Sequence, residues 1–454
     1  MKTYDAVVIG AGDVGCAVAF KAAGAGLSVA LVEKGAIGGT CLNNGCVPSK
    51  TLIHVADRVL EIAEAPALGI RVELAGADFE GIMARMRETV ANGRSALHRA
   101  VEQTANIELI PGACRFLAPR TLEVAGTRLA GKKVFVASGS RPAMPPIPGL
   151  DATPHLTNET LLALRRRPES LIILGGGYIG LEYGHFFAAL GTKVTIVERG
   201  ERLLPFEEPE VSELLRARLA QRVQLHLGTT VTEVRPAAGG CAVVVRGAGD
   251  STAELAAEQV LVAAGRRSNA DELRAQAAGF DLDERGYFRV DDRLRTNKPG
   301  VWALGDAIGR AMFTHAGDRE AEVAWHNASH RRQIAMDFAA VPHAVFTSPQ
   351  IASVGLTEAQ AAAGGRTPLV GRARYMDTVL GRAMGERDGF AKAIVDRETR
   401  RILGFHVIGP QASLLIAEVA TAVANRQQVD TITGSMHVFP ALSDLVTEAF
   451  ANLA

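Results

Sequence analysis

Two cysteines, Cys41 and Cys46, stand with four residues between them in the run GGTCLNNGCVPSK, Gly38 to Lys50. With Asn43, Asn44 and Gly45 in the interval, a short loop can close a disulfide at little backbone cost and reopen it when electrons arrive. A bare CxxxxC also describes two unrelated thiols in a turn, so the choice rests on the flanks and on what else the chain carries. Such a pair does chemistry only where cofactors deliver electrons to it.

The elements that would hold such cofactors are present twice. Tyr4 to Ile9 reads as a strand, followed by Gly10-Ala11-Gly12-Asp13-Val14-Gly15, an alanine-rich helix, and a strand from Ser28 to Val32 that ends at Glu33. The first glycine permits the tight turn, the second lets a pyrophosphate approach the backbone, and the third lets the helix pack on the strand. The helix N-terminus then faces the phosphates, and the terminal acid can accept hydrogen bonds from an adenosine ribose. The same order recurs as a strand from Leu171 to Leu174, Gly175-Gly176-Gly177-Tyr178-Ile179-Gly180, and a strand from Lys193 to Val197 ending at Glu198. Each acid lies 18 residues beyond its last glycine (33 minus 15, 198 minus 180). Each unit also has a later strand running into a small-residue turn, Val134 to Gly139 with Ser138, and Val260 to Gly265. Repetition at this level predicts two Rossmann-like dinucleotide-binding domains in an α/β protein.

Length and composition agree. A chain of 454 residues is expected to form two to four domains. Lys+Arg 49 balances Asp+Glu 49, which leaves no electrostatic footprint for nucleic acid or an anionic membrane. No apolar run is long enough to span a bilayer, and Met1 to Asp5 leads into a strand without a charged-then-apolar leader, so a cytoplasmic location is expected. The remaining cysteines, Cys16, Cys114 and Cys241, are scattered. A lone close pair in a reducing compartment points to catalysis and not to a secreted disulfide framework.

Phe79 to Asn106 reads as a long charged helix with Ile82, Met83, Met86, Val90, Leu97 and Val101 on or near one packing face. Pro142 to Pro148 is too proline-rich for a helix or central strand and is read as a linker. Leu294 to Asp306, LRTNKPGVWALGD, holds a Pro-Gly turn and a strand ending Gly-Asp. From about Val341 the pattern changes to strands (Ala344 to Thr347, Gly389 to Val395, Ile402 to Ile408) and helices such as Leu414 to Asn425, an α+β unit.

These runs resemble the flavoprotein disulfide reductases (dihydrolipoamide dehydrogenase, glutathione reductase, mercuric reductase), through the cysteine run, the Gly-Asp strand, TSPQIASVGLTE at Thr347 to Glu358 and GFHVIGPQASLLIAE at Gly404 to Glu418. The resemblance implies an FAD-binding domain from 1–148 and 271–340, an NAD(P)-binding domain from 149–270, and a dimerisation domain from 341–454 that makes a homodimer. It implies FAD contacts from Gly10, Gly12, Gly15, Glu33, Lys34, Gly39, Thr40, Ser138, Gly139 and Asp306, and nicotinamide-cofactor contacts from Gly175, Gly177, Gly180, Glu198 and Gly265. Cys46 is then the flavin-facing thiol and Cys41 the thiol that exchanges with substrate. Lys50 and Glu182 form a pair near the flavin, and Tyr178 matches a gating tyrosine of glutathione reductases. Glu198 favours NAD(H) over NADP(H), since a carboxylate repels a 2′-phosphate, although Arg199 and Arg202 follow it.

One departure bears on the substrate. Family members with a His-Pro-Thr-x-x-Glu run use its histidine as a base from across the dimer; here the run is His437-Val438-Phe439-Pro440-Ala441-Leu442-Ser443-Asp444. Phenylalanine holds the histidine's place, as in mercuric reductases, yet no cysteine follows Cys241 to carry a metal. His437, two residues early, is expected to point elsewhere. The expected acceptor is a small or protein-bound disulfide or thiol compound, with a thiol-bound metal ion or another acceptor needing no base as the alternative. A weakly catalytic subunit of a larger complex is a third reading. No resident metal is expected.

Overall fold

The computed structural model describes residues 1–454. Its first sheet has 7 strands, with Lys2–Ile9 between Val29–Glu33 and Thr127–Val136, and Ile107–Pro111 outside Val29–Glu33. All of these pairings are parallel. Such a sheet needs apolar side chains on both of its faces, and Val7, Val8, Leu31 and Phe135 are each fully buried. The second unit repeats the plan: Ser170–Leu174 lies between Lys193–Val197 and Gln259–Val262, again parallel. A three-stranded antiparallel sheet, Thr230–Ala237, Gly240–Arg246 and Thr252–Ala257, is attached to this unit.

The chain crosses between the units on two adjacent segments, Ser140–Pro142 and Arg266–Ser268, which pair antiparallel. After the second crossing, Val301–Ala303 adds to the first sheet beside Thr127–Val136. The strand ending Gly305-Asp306 therefore belongs physically to the first unit, although more than a hundred residues separate it from that unit's other strands. The C-terminal unit is a 5-stranded antiparallel sheet from His343–Val345 to Ile402–Ile408, covered by helices Ala412–Ala424 and Asp444–Ala451.

The cysteine run differs from the expected loop. It folds as two helices, Gly39–Asn44 and Cys46–Glu64, broken at Gly45. A Cβ on Gly45 would sit 2.9 Å from the Thr40 carbonyl oxygen, so glycine is what lets the two helices abut with the cysteines facing each other across the break. The long helix runs from Phe79 to Gln103, ending before the expected Asn106, with Met83, Met86, Val90 and Val101 buried and Ile82 and Leu97 partly so. The C-terminal strands keep their expected order with bounds moved by a residue or two, and the helix expected from Leu414 starts at Ala412.

One core explains how the cysteines are aimed. Leu52 and Ala56 of the cysteine helix and Met83 and Met86 of the long helix pack with Phe186 and Phe187 of the second unit and with Val345, Ile351 and Ile408 of the third. Each fully buried apolar side chain of this size stabilises by about 1.5–3 kcal/mol. The cysteine helix is thus wedged among all three units, which fixes what its first turn can touch.

Candidate redox site

The two glycine loops have the same internal geometry. A Cβ on Gly10 would lie 2.3 Å from the Ala137 carbonyl oxygen, and one on Gly175 2.4 Å from that of Ala263. The third glycines, Gly15 and Gly180, would collide with the carbonyl oxygens of Gly10 and Gly175 at 1.9 and 2.1 Å. Strand, turn and helix are therefore in backbone contact in both units. The acids match as well. Glu33 accepts from the Ala11 and Gly35 amides at 2.7 and 2.8 Å, and Glu198 from the Gly176 and Gly200 amides at 2.7 and 2.7 Å. Each carboxylate pins the glycine loop to the end of the second strand, a structural duty that needs no ligand.

The residues present fit two dinucleotides. Helices Asp13–Gly24 and Tyr178–Ala189 start from Gly12 and Gly177 with no side-chain cap, so their first amides are left to a phosphate. A Cβ on Gly139, Gly177 or Gly265 would meet nothing within 4 Å, and the buried Ser138 hydroxyl has no hydrogen-bond partner. Gly39 lies against Gly12, where a Cβ would approach the Gly12 Cα to 2.7 Å. Asp306 accepts from the Ser140 hydroxyl at 2.5 Å and lies 3.5 Å from the Arg266 guanidinium. Arg266 also donates to Ser140 and to the Thr40 hydroxyl at 3.3 Å. Of the sequence candidates, Lys34 has its ammonium paired with Glu272.

Cys41 and Cys46 are both free thiols, brought together across the Gly45 break closely enough for each to perturb the other. The neighbouring Cys41 thiol holds the Cys46 thiol well below its usual range; burial opposes it, while the Thr314 hydroxyl, 3.6 Å away, and the Lys50 charge assist. Cys46 is also the first residue of a 19-residue helix, whose positive end favours a thiolate. Cys41 is pushed up, chiefly because it keeps the proton it shares with Cys46, with burial and the Asp13 carboxylate acting the same way. The pair is therefore asymmetric before any substrate arrives.

One turn into the helix, the Lys50 ammonium bridges both oxygens of Glu182 at 2.6 and 2.8 Å. Glu182 is nearly buried and also accepts from the Phe346 amide at 3.2 Å, and Lys50 lies 4.5 Å from the Phe346 ring centroid. A charge this enclosed needs such partners. Tyr178, one turn before Glu182 on the same helix, packs against Phe206, Phe313 and His343 with centroids 5.2, 5.7 and 6.1 Å away. Sequence reasoning missed Thr314, Arg266 and Phe346. Arg266 had a signal, following Gly265 directly; Thr314 had none, being 268 residues from Cys46.

The C-terminal segment carries the absent base's position. Met436, Val438 and Phe439 are exposed at 102%, 77% and 72%. His437 is turned inward: one ring nitrogen meets Glu418 at 2.7 Å and the other the Ser435 carbonyl at 3.1 Å. The Glu418 carboxylate raises the imidazole's pKa. With both nitrogens engaged, His437 has no free lone pair to offer a thiol. No group of His, Cys, Asp and Glu side chains is arranged to hold a metal ion, and no helix is long and apolar enough to cross a membrane.

Comparison with known proteins agrees with this geometry. The family model described as pyridine nucleotide-disulphide oxidoreductase matches residues 4–321, and the model of that family's dimerisation domain matches 341–450. The chain is 34% identical to dihydrolipoyl dehydrogenase 3 of Haloarcula marismortui, over 99% of this chain and 96% of the relative. It is 31% identical to a mercuric reductase of Lysinibacillus sphaericus, over 97% of this chain and 81% of the relative. The solved Cu(II) complex of the HOCl-induced flavoprotein disulfide reductase RclA from Escherichia coli superposes with a TM-score of 0.89 at 30% identity, covering 99% of both chains.

Proposed function

The chain belongs to the pyridine nucleotide-disulphide oxidoreductases and is an FAD-dependent, NAD(P)H-linked disulfide reductase; within that activity, we propose that it serves an acceptor whose reduction needs no histidine base. The observation that carries this reading is His437, whose ring nitrogens are both engaged while Phe439 holds the base's place. Such an acceptor is a sulfur compound already anionic at neutral pH, such as a persulfide, or a thiol-bound metal ion. The likeness to a mercuric reductase and to the Cu(II) complex of RclA supports the metal arm.

When bound, FAD supplies the capacity to accept a hydride and to deliver an electron pair to sulfur. In this reading the first unit, residues 1–148 and 271–340, holds it through the Gly10 loop, Glu33, the Ser138–Gly139 turn and Asp306. The second unit, 149–270, holds NADH in preference to NADPH through the Gly175 loop and Glu198, and residues 341–454 form a homodimer in the cytoplasm. Exposure of Met436, Val438 and Phe439 supports that pairing, since a second copy would cover them.

The chain's own steps balance. The Cys41–Cys46 disulfide takes two electrons and a proton to give Cys41 as thiol and Cys46 as thiolate. Cys41 passes its proton to Cys46 and, as thiolate, attacks one sulfur of an acceptor disulfide; one thiolate leaves and a mixed disulfide forms. Cys46 gives that proton to the departing thiolate and attacks the Cys41 sulfur, the second thiolate leaves, and the internal disulfide is restored. Lys50, neutralised by Glu182, places a fixed positive group beside the Cys46 thiolate, and the Thr314 hydroxyl donates to it.

The test is steady-state NADH oxidation by the FAD-loaded protein against lipoamide, glutathione disulfide, a persulfide, Cu(II) and Hg(II), with anaerobic NADH titration of the same sample. The expected result is turnover with the persulfide or a metal well above that with lipoamide, together with the long-wavelength absorbance of a thiolate lying against oxidised flavin. Lipoamide turnover exceeding all others would reject the base-free acceptor. Absence of the long-wavelength band would reject Cys46 as the flavin-side thiol.

A further inference from the structure

The loop that follows Glu198 carries a feature that cofactor binding does not explain. Its last residues, Glu207 and Glu208, are both 2% exposed, and both reach out of the second unit into the C-terminal sheet. Glu207 meets the His343 ring nitrogen and the Ser353 hydroxyl at 2.6 and 2.6 Å. Glu208 accepts from the Glu358 amide at 2.6 Å and from the buried Lys392 ammonium at 2.9 Å. Burial alone would push the Glu207 carboxyl up, yet the His343 hydrogen bond, with His406 nearby and the Ser353 hydroxyl, holds it down at about 2. Removing carboxylates from water is costly unless each is fully matched, and here each is matched from two different elements of the C-terminal unit.

Just before these anchors the backbone is strained. Leu204 is fully buried with φ +46, a left-handed conformation that a leucine adopts only where its surroundings force it. The residue fixed between strain and anchor is Phe206. It is 45% exposed although Leu203, Leu204, Glu207 and Glu208 are all buried, and its ring rests on Tyr178 with centroids 5.2 Å apart and on His343 at 6.0 Å.

We infer that Phe206, held by Glu207, is a positioning residue that latches the Tyr178 ring and so sets the cost of admitting reduced nicotinamide beside Lys50 and Glu182. The inference rests on the gating role that the resemblance gives Tyr178, extended here to a nicotinamide pocket at that ring. In that reading a nicotinamide ring entering there displaces Tyr178, which breaks the Phe206–Tyr178 contact. An aromatic pair of this kind corresponds to about a two- to tenfold factor in an equilibrium. Phe206 touches no reacting atom, so the factor belongs in NADH binding and not in the chemical step.

The experiment uses the FAD-loaded full chain and compares KM for NADH and kcat in wild type, Phe206→Ala, Phe206→Tyr, Tyr178→Ala and the double variant Phe206→Ala/Tyr178→Ala. The expected result is a KM lowered about two- to tenfold in Phe206→Ala with kcat changed less than about twofold. Phe206→Tyr, which keeps a ring, behaves as wild type, and Phe206→Ala has no further effect once Tyr178 is alanine. If Tyr178→Ala shifts KM while Phe206→Ala does not, the latch is overturned and the pocket stands. If neither substitution shifts KM, the pocket at Tyr178 falls, and the latch with it.

Discussion

The two dinucleotide units share a frame and differ in what hangs from it. In both, a carboxylate at the end of the second strand grips the amide of the residue between the first two glycines, and the third glycine seats against the carbonyl of the first. These contacts are made by backbone and by one acid, so the frame tolerates wide sequence change around it. The chemistry sits where the units diverge. The first sends its chain into the broken helix with Cys41 and Cys46, and the second places Tyr178 and Glu182 on the helix after its glycine loop. The units meet at the Lys50–Glu182 pair, one residue from each. A duplicated cradle thus becomes an electron path only through the residues that are not duplicated.

The sharpest way to separate the units is to remove the first one's sulfur. Cys46→Ser is expected to abolish NADH-driven reduction of every disulfide acceptor and the long-wavelength band, while flavin bleaching by NADH persists because the second unit's cradle is untouched. Cys41→Ser is expected to lose disulfide turnover yet keep the band, since Thr314 and Lys50 still face the Cys46 sulfur. In that variant the Cys46 thiolate loses its largest stabilising partner, so the band should fade at a higher pH on acidification than in wild type. Rapid-scan absorbance checks both. Equal behaviour of the two variants would show that the cysteines are not asymmetric.

Much of this comparison was legible in the amino-acid sequence. The glycine spacing, the matched 18-residue intervals and the cysteine run pointed to the two-unit plan because each reports a backbone constraint carried by local sequence. The pair Lys50–Glu182 was reachable only through resemblance, since 132 residues separate its members. Three features stayed hidden, the last two because their partners are distant in the sequence. The break at Gly45 depends on a carbonyl five residues earlier, and Thr314 reaches Cys46 from a helix of the returning segment. The carboxylates Glu207 and Glu208 find their partners in the C-terminal unit, more than a hundred residues away. Local pattern reports local geometry; buried charge is explained by what tertiary packing brings to it.

Neither unit supplies a base to Cys41, so adding one from the third sharpens the comparison next. A positioned acid–base group contributes on the order of 10²- to 10⁴-fold. Phe439→His is expected to raise kcat/KM for lipoamide by about a hundredfold, the lower end of that range, because Asp444 is shorter than the glutamate of the resembling run. The paired change Asp444→Glu should add to it. The gain should appear as a new basic-side requirement in the pH profile. A wild type already fast on lipoamide, with no gain from histidine, would show that a group other than the C-terminal run takes the proton.

The matched acids allow a smaller contrast. Glu33 and Glu198 make the same backbone contacts, so both Glu→Gln changes should loosen a loop to a similar degree. Only Glu198→Gln should also change cofactor choice, because only it is proposed to face a 2′-phosphate. The expected NADH preference in wild type is about ten- to a hundredfold, one charge contact of roughly 1–3 kcal/mol, and Glu198→Gln should erase most of it. The ratio of kcat/KM for NADH and NADPH measures this. No preference in wild type would mean that Arg199 and Arg202 offset the carboxylate.

The smallest effect concerns a support that only the first unit has, the returning strand that ends at Gly305 and Asp306. Glu320 is fully buried behind it, one carboxyl oxygen accepting from the Gly305 amide and the other without a partner. Burial, reinforced by Asp306, pushes this carboxyl up to about 8, against the pull of the Gly305 hydrogen bond and Arg310. The folded pKa is thus raised above the ordinary 4.5, and for an acid that means the fold prefers the neutral form. Stability is therefore highest below about 4.5, declines as pH rises toward about 8 while the unfolded chain ionises and the folded one resists, and is flat beyond. Glu320→Gln keeps an acceptor for Gly305 and removes the titration. The two proteins should melt together near pH 5, and the variant should melt a few degrees higher by about pH 8, followed by circular dichroism of the FAD-loaded chain. Parallel melting curves across that range would mean that Glu320 ionises without penalty in the folded state, and that the loop carrying Asp306 is more open to water than the packing behind it indicates.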